Sequence, residues 1–239
     1  MQHASVKKLF KEQMLRYSHK DQYKHSPLTH LILEWLKNKK TNKKIEICEF
    51  GGGAGQLLGE IRKSYPNYSY SNVEIVNDYK QFLVSKEIAF VLGSVLNSHF
   101  PDNSFDVLIM RDVLHHLVGR NYKETLYNQT FALKELKRLV RPGGVIFIEE
   151  LTNESELATR IIYHLSYLNS KIGVHIPSLF VNSYVIVVFL TSAKLLSSCN
   201  SVFGEKNIKT QMLGVETKWY FQILHLFSGL KKVILVIKK

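Results

Sequence analysis

Residues 45–55 read Ile45-Glu46-Ile47-Cys48-Glu49-Phe50-Gly51-Gly52-Gly53-Ala54-Gly55. A run with β-branched residues leads into an acid, Glu49, and glycines then fall at every second position, Gly51, Gly53 and Gly55. This order describes a strand that ends in a tight turn, where the backbone must press against a ligand. Glycine permits a positive-φ turn and carries no Cβ to hold a ligand off. The acid just ahead of the turn disfavours a nearby phosphate and favours a cation.

A dinucleotide site needs G-x-G-x-x-G. Counting from Gly51 and Gly53, the third glycine position holds Gln56; counting from Gly53 and Gly55 it holds Leu58. Neither fits, and a Walker A loop fails because no Gly-Lys-Ser/Thr follows. The alternative to a ligand loop is a plain glycine-rich strand-to-helix turn.

Working outward, 239 residues suit one domain with a sizeable core. A 45% hydrophobic fraction excludes a disordered chain. The two cysteines, Cys48 and Cys199, make no zinc pattern, so no metal site is expected. Cys48 reads as a small buried residue of the first strand. Sparse cysteine and the polar start, without an apolar leader core, fit a cytoplasmic protein.

Charge is unevenly placed. Residues 1–45 balance at +8, residues 46–156 at −4 and residues 157–239 at +8. Basic flanks around an acidic middle suit an anionic substrate, an anionic membrane surface or nucleic acid. A lysine-rich solvated surface explains them equally well, since no arginine cluster or basic–aromatic stripe stands out.

Period and punctuation then place the elements. Val6, Phe10, Met14 and Tyr17 form one helical stripe. Ser26-Pro27 opens a helix reaching about residue 38. Strands are expected at 44–50, 71–75, 88–92, 105–110 and 145–149, and helices at 56–64, 78–85 and 121–140. Arg141-Pro142-Gly143-Gly144 breaks the last helix. This alternation argues a parallel, doubly wound sheet. Beyond it, 154–168 reads as an extra amphipathic helix and 191–198 as the start of a last crossover helix. Residues 216–227 and 231–238 flank Ser228-Gly229-Leu230, which reads as a hairpin turn. One domain is expected, divided into an N-terminal helical cap (1–43), a cofactor core (44–150), a lid or insertion with the last helix (151–207) and a C-terminal hairpin (208–239).

Further landmarks follow the glycine turn in order. They are Glu74-Ile75; Gly93-Ser94-Val95; Phe100-Pro101-Asp102-Asn103-Ser104-Phe105-Asp106; Arg111-Asp112-Val113-Leu114-His115-His116-Leu117; and Arg141-Pro142-Gly143-Gly144. Together with E-x-G-x-G-x-G at 49–55 they resemble the class I S-adenosylmethionine-dependent methyltransferases, and within them the small-molecule branch that includes quinone-biosynthesis enzymes. The resemblance covers about residues 44–150, and weakly residue 191 to the end.

It implies a seven-stranded, mostly parallel, Rossmann-like α/β sheet with an antiparallel last strand, an N-terminal helical cap and a helical insertion after strand five. It implies S-adenosyl-L-methionine as cofactor and methyl transfer by in-line attack on the sulfonium methyl. Glu49, Gly51, Gly53 and Gly55 would cradle the methionine part. Glu74, with Ile75, would accept from the ribose hydroxyls. Ser94 and the backbone of Val95 would meet the adenine; the family commonly carries aspartate where this chain has Ser94, so that contact is weaker here. Arg111 would contribute backbone contacts.

A base is needed only for a protonated acceptor. His115 and His116 are candidates by location; the alternative is structural, with one imidazole packed under the next loop and the other exposed. Tyr17 and Tyr23 either close over the cofactor or simply pack. The stretch 176–193 has no formal charge. Pro177, Ser178, Asn182 and Ser183 argue against a spanning helix, leaving a buried lid or substrate wall, or else a greasy face on anionic lipid. The acceptor expected is a small, partly apolar molecule. Nucleic-acid methylation is an alternative without an Asn-Pro-Pro-Tyr-type motif behind it; a non-catalytic cofactor-binding module is another.

Overall fold

A computed structural model describes residues 23–39, 41, 43–172, 186–214 and 229–239. The elements run α1 (Pro27–Asn38), β1 (Glu46–Phe50), α2 (Gln56–Ser64), β2 (Ser69–Glu74), β3 (Ile88–Leu92), β4 (Phe105–Arg111), α3 (Tyr122–Leu139), β5 (Val140–Asn153), α4 (Glu156–Ile172), α5 (Ser192–Phe203), β6 (Ile208–Gly214) and β7 (Leu230–Lys238). The expected 4–17 helix, with Tyr17, lies outside the described residues.

Seven strands form one sheet in the order β3-β2-β1-β4-β5-β7-β6. β1 to β5 pair in parallel, and β7 runs antiparallel to both β5 and β6. The sheet thus reverses its winding between β1 and β4, where open α/β sheets leave a crevice beyond the strand C-termini.

Strand alternation divides the core in two. Ile47, Val107, Ile109, Val145 and Phe147 face Leu28, Ile32 and Leu36 of α1 and Leu57, Leu58 and Ile61 of α2. Cys48, Phe50, Leu108, Met110, Ile146 and Ile148 face Leu133 and Leu136 of α3 and Leu195 and Cys199 of α5. Cys48 is fully buried as a small apolar residue, and burial with the neighbouring Glu49 holds its thiol well above the usual range. Local signals set the helix starts: Ser26 accepts from Thr29 N–H ahead of Pro27, Asn121 from Glu124 N–H, and Thr191 from Lys194 N–H.

Four boundaries differ from the sequence reading. The expected 78–85 helix is a 3₁₀ turn, Asn77–Phe82. Arg141–Gly144 does not separate α3 from the next strand. Val140 already pairs with Phe105, and Gly143 at φ 74° absorbs the irregularity within a β5 that continues to Asn153. The strand paired with β7 is Ile208–Gly214, whereas residues 216–227 lie outside the described residues. α4 begins at Glu156 and reaches Ile172.

Of the uncharged 176–193 stretch, residues 186–193 are described. Ile186 to Leu190 form a buried irregular segment, tied by Val188 N–H to the His115 carbonyl (3.0 Å) and by Gln129 to the Val188 carbonyl (2.9 Å). No helix among the described residues is long and apolar enough to cross a membrane.

Candidate active site

The chain leaves β1 through three glycines in the left-handed region: Gly51 at φ 76°, Gly53 at 55° and Gly55 at 71°. Only glycine adopts this conformation without strain, so the alternating set is a backbone requirement. Gly52, between them, is constrained by space instead. A Cβ there would sit 2.4 Å from Asn72 Oδ1 and 2.7 Å from Glu49 Oε2. A Cβ on Gly51 would reach 2.5 Å from a Val113 methyl, and one on Gly53 would lie 3.5 Å from the Tyr79 ring.

The two acids expected to anchor a ligand flank this turn. Glu74, at the end of β2, accepts from Gly53 N–H (3.1 Å), Ile75 N–H (2.7 Å) and Val76 N–H (3.1 Å). Its carboxylate therefore pins the glycine turn and has about one acceptor position left. Burial raises its pKa, opposed by those backbone donors.

Glu49 is 1% exposed. Burial raises its carboxyl to about 7; Arg111 pulls it back, while Glu74 and Glu149 push it further. Its Oε2, and the Oδ1 of the buried Asn72 opposite it in register, have no hydrogen-bond partner among the described residues. Asn72 Nδ2 is used, donating to the Gly53 carbonyl at 2.7 Å. Two orphaned buried acceptors under a glycine turn cost free energy that a donor or cation would recover. An aminoacyl sulfonium compound carries both, so the residues present fit S-adenosylmethionine.

Alternation puts the next charges on the same sheet face. Arg111 donates to the Tyr23 hydroxyl (2.7 Å) and stacks over its ring at 4.2 Å. Burial works against the guanidinium, but Tyr23 and Glu49 outweigh it and raise its pKa. Tyr23 is thus tied to the end of β4, next to the crevice. Lys232 on β7 meets Glu149 (3.0 Å) and Asp112 (3.3 Å). Ser94 accepts from Leu96 N–H (3.2 Å) within its own turn, which leaves its hydroxyl one donor and one acceptor position, and Val95 is buried beside it.

On the opposite face Glu150 is buried beside the Leu114–His116 turn. One carboxylate oxygen accepts from Leu114 N–H (2.8 Å), and the other pairs with His115 Nδ1. Burial lowers the His115 pKa, but Glu150 overcomes this and raises it. His116 is not exposed, contrary to the alternative drawn from sequence. It is half-buried with its ring centroid 4.0 Å from that of His115, and burial plus that neighbour push its pKa well down. Glu150, Asn72 and Gly52 escaped the sequence reading. A mid-strand acid or amide at 150 and 72 was the available signal, since such residues rarely face a core unpaired.

Residues 17–180 match the model of a methyltransferase domain. Among curated proteins, an uncharacterized methyltransferase of Schizosaccharomyces pombe is 29% identical over 142 residues, which is 54% of this chain and 45% of that protein. A hybrid PKS-NRPS synthetase of Talaromyces variabilis is 28% identical over 130 residues, 49% of this chain. The chain spans only 3–5% of the length of such fungal synthetases. Among solved structures, the 1,6-didemethyltoxoflavin-N1-methyltransferase of Burkholderia thailandensis, with bound 1,6-didemethyltoxoflavin and S-adenosylhomocysteine, superposes with a TM-score of 0.60 at 14% identity. That superposition covers 99% of this chain and 88% of that one, and shows a shared fold. With the family model spanning more than half of its residues, strands β1 to β5 and the glycine turn among them, the chain belongs to the methyltransferase domain family.

Proposed function

We propose that this chain transfers a methyl group from S-adenosylmethionine to a small, partly apolar molecule. The observation that carries the reading is the pair of orphaned buried acceptors, Glu49 Oε2 and Asn72 Oδ1, beneath a turn where Gly51 and Gly52 leave no room for a Cβ. Gly51, Gly53 and Gly55 would hold the cofactor's aminoacyl end with Glu49. Glu74 and Ile75 would hold the ribose, and Ser94 and Val95 the adenine. Arg111 keeps Glu49 charged enough to meet a cation. When bound, the cofactor supplies a methyl group made electrophilic by a sulfonium.

The chain's own residues then position the acceptor, exclude water and take a proton. Such positioning contributes up to roughly 7–11 kcal/mol in favourable cases. His115 is the base in this reading. Glu150 holds Nδ1, which leaves Nε2 to accept the acceptor's proton, and it stabilises the imidazolium that forms. His116 stays neutral against it. Phe189, 5.1 Å from the His115 ring, belongs to the buried segment that makes the surroundings apolar. The likeness to stretches of polyketide synthases supports a carbon-rich acceptor.

Isothermal titration with S-adenosylmethionine tests the cofactor half: the chain binds it, and Gly53→Val, forced into a positive φ, does not. Equal binding by both would sink the reading. Incubating cell extract with methyl-labelled cofactor, then identifying labelled products by mass spectrometry, tests turnover. Cofactor binding without any labelled product would make the chain a non-catalytic module.

A further inference from the structure

α4 buries a mixed polar and apolar side and leaves an aliphatic one in solvent. Its inward positions include Thr159, Tyr163, Ser166 and Asn169 beside Ala158 and Ile162. Its outward side carries Leu157 (69% exposed), Leu168 (54%) and Ile172 (61%), together with Leu165 and the half-buried Ile161. The spacing 157, 161, 165, 168, 172 is one continuous stripe along a helix about 25 Å long.

One residue behind each of the last four stripe positions runs a second row, Arg160, His164, Tyr167 and Lys171, also exposed. Lys171 lies 4.6 Å over the Tyr167 ring. The acid on this helix, Glu156, is already paired with Arg160 (2.9 Å) and with Lys194 of α5 (2.7 Å). From residue 157 to residue 204 the chain has three basic residues and no acidic one. A monomer in water gains nothing from an aliphatic stripe in solvent. Glu156 takes Arg160, so Lys171, beside Tyr167 at the end of the stripe, is the cation of this face left for a partner, and an anionic lipid surface takes it together with the aliphatic row. Leucine and isoleucine enter the acyl boundary, tyrosine sits at headgroup depth, and the long lysine reaches the phosphates.

We propose that α4 is a docking helix for anionic lipid membranes, lying in the interface plane with Leu157, Leu165, Leu168 and Ile172 inserted and Lys171 on the headgroups. This surface is separate from the glycine turn and stands whether or not the methyl-transfer reading does. The test is co-sedimentation of the full chain with phosphatidylcholine vesicles, with and without phosphatidylglycerol. The chain is expected to pellet with the anionic vesicles and to be released by salt. Leu157→Glu/Leu168→Glu should lower vesicle affinity at least about tenfold. Lys171→Glu should lower it about fivefold to tenfold on anionic vesicles alone. Both variants replace exposed residues, so melting curves and S-adenosylmethionine binding should match the parent. A chain left in the supernatant, an unaffected double variant, or equal binding to neutral and anionic vesicles would each overturn the proposal. So would light scattering that shows a dimer abolished by the double variant without vesicle binding.

Discussion

Glu49 offers a test in which stability and cofactor binding move in opposite directions. The residue is 1% exposed, and burial pushes its carboxyl up to about 7 from an ordinary value of 4.5. The folded state therefore holds this proton more tightly than the unfolded chain does. By linkage, stability falls as pH rises from about 4.5 and levels off above about 7. At about 1.4 kcal/mol per pKa unit, ionised Glu49 costs the ligand-free fold about 3 kcal/mol at pH 8 and under about 1 kcal/mol at pH 5. Glu49→Gln keeps the shape and removes the charge. It should leave stability nearly unchanged at pH 5 and raise it by about 3 kcal/mol at pH 8, or several degrees in Tm at roughly 2–4 °C per kcal/mol. The same variant should lose affinity for S-adenosylmethionine, because the cation then meets an amide. Urea melts at the two pH values with and without cofactor read both effects. A stability gain equal at both pH values, or a loss at pH 8, would refute the burial argument.

Other outcomes follow from the same geometry. Gly52→Ala puts a methyl against Asn72 and Glu49 and should destabilise the chain by roughly 1–3 kcal/mol while blocking cofactor binding, checked by thermal melts and titration calorimetry. With a labelled acceptor in hand, kcat/KM should rise with pH through the raised His115 pKa. Glu150→Gln leaves burial dominant and should move that limb below the ordinary histidine value; an unmoved limb would remove His115 from the chemistry. The His115–Glu150 pair also adds stability below about 6.5 that fades as pH rises through the raised value, so the variant should flatten that part of a stability profile. Tyr23→Phe removes the hydroxyl that Arg111 uses and should cost about 1–3 kcal/mol in urea melts. Asn121→Ala should cost about 1 kcal/mol by loss of the α3 cap, with cofactor affinity unchanged.

The glycine turn and the acids on either side of it were legible because they are local. Three positive-φ positions at alternate residues leave a mark in the chain itself, and so do Ser26-Pro27 and Asn121 as helix starts. The β-α alternation likewise declared a parallel sheet, since period and punctuation are read from neighbours along the chain. Pairing partners were not legible. The Arg141–Gly144 segment looks like an interruption until Phe105 is seen opposite Val140, and β7 takes Ile208–Gly214 because hairpin register depends on what the sheet leaves unpaired. Nor did sequence distance reveal that Glu150 would meet His115, that Tyr23 would reach Arg111, or that Asn72 would lie beneath Gly52. Each pair joins separate elements whose side chains meet only once the sheet is assembled. Backbone conformation and hydrophobic period therefore set the kind of turn and the kind of fold from local residues. Which buried charges are satisfied and which stand open to a ligand emerges with the assembled sheet and helices, because burial and partnership are properties of packed elements.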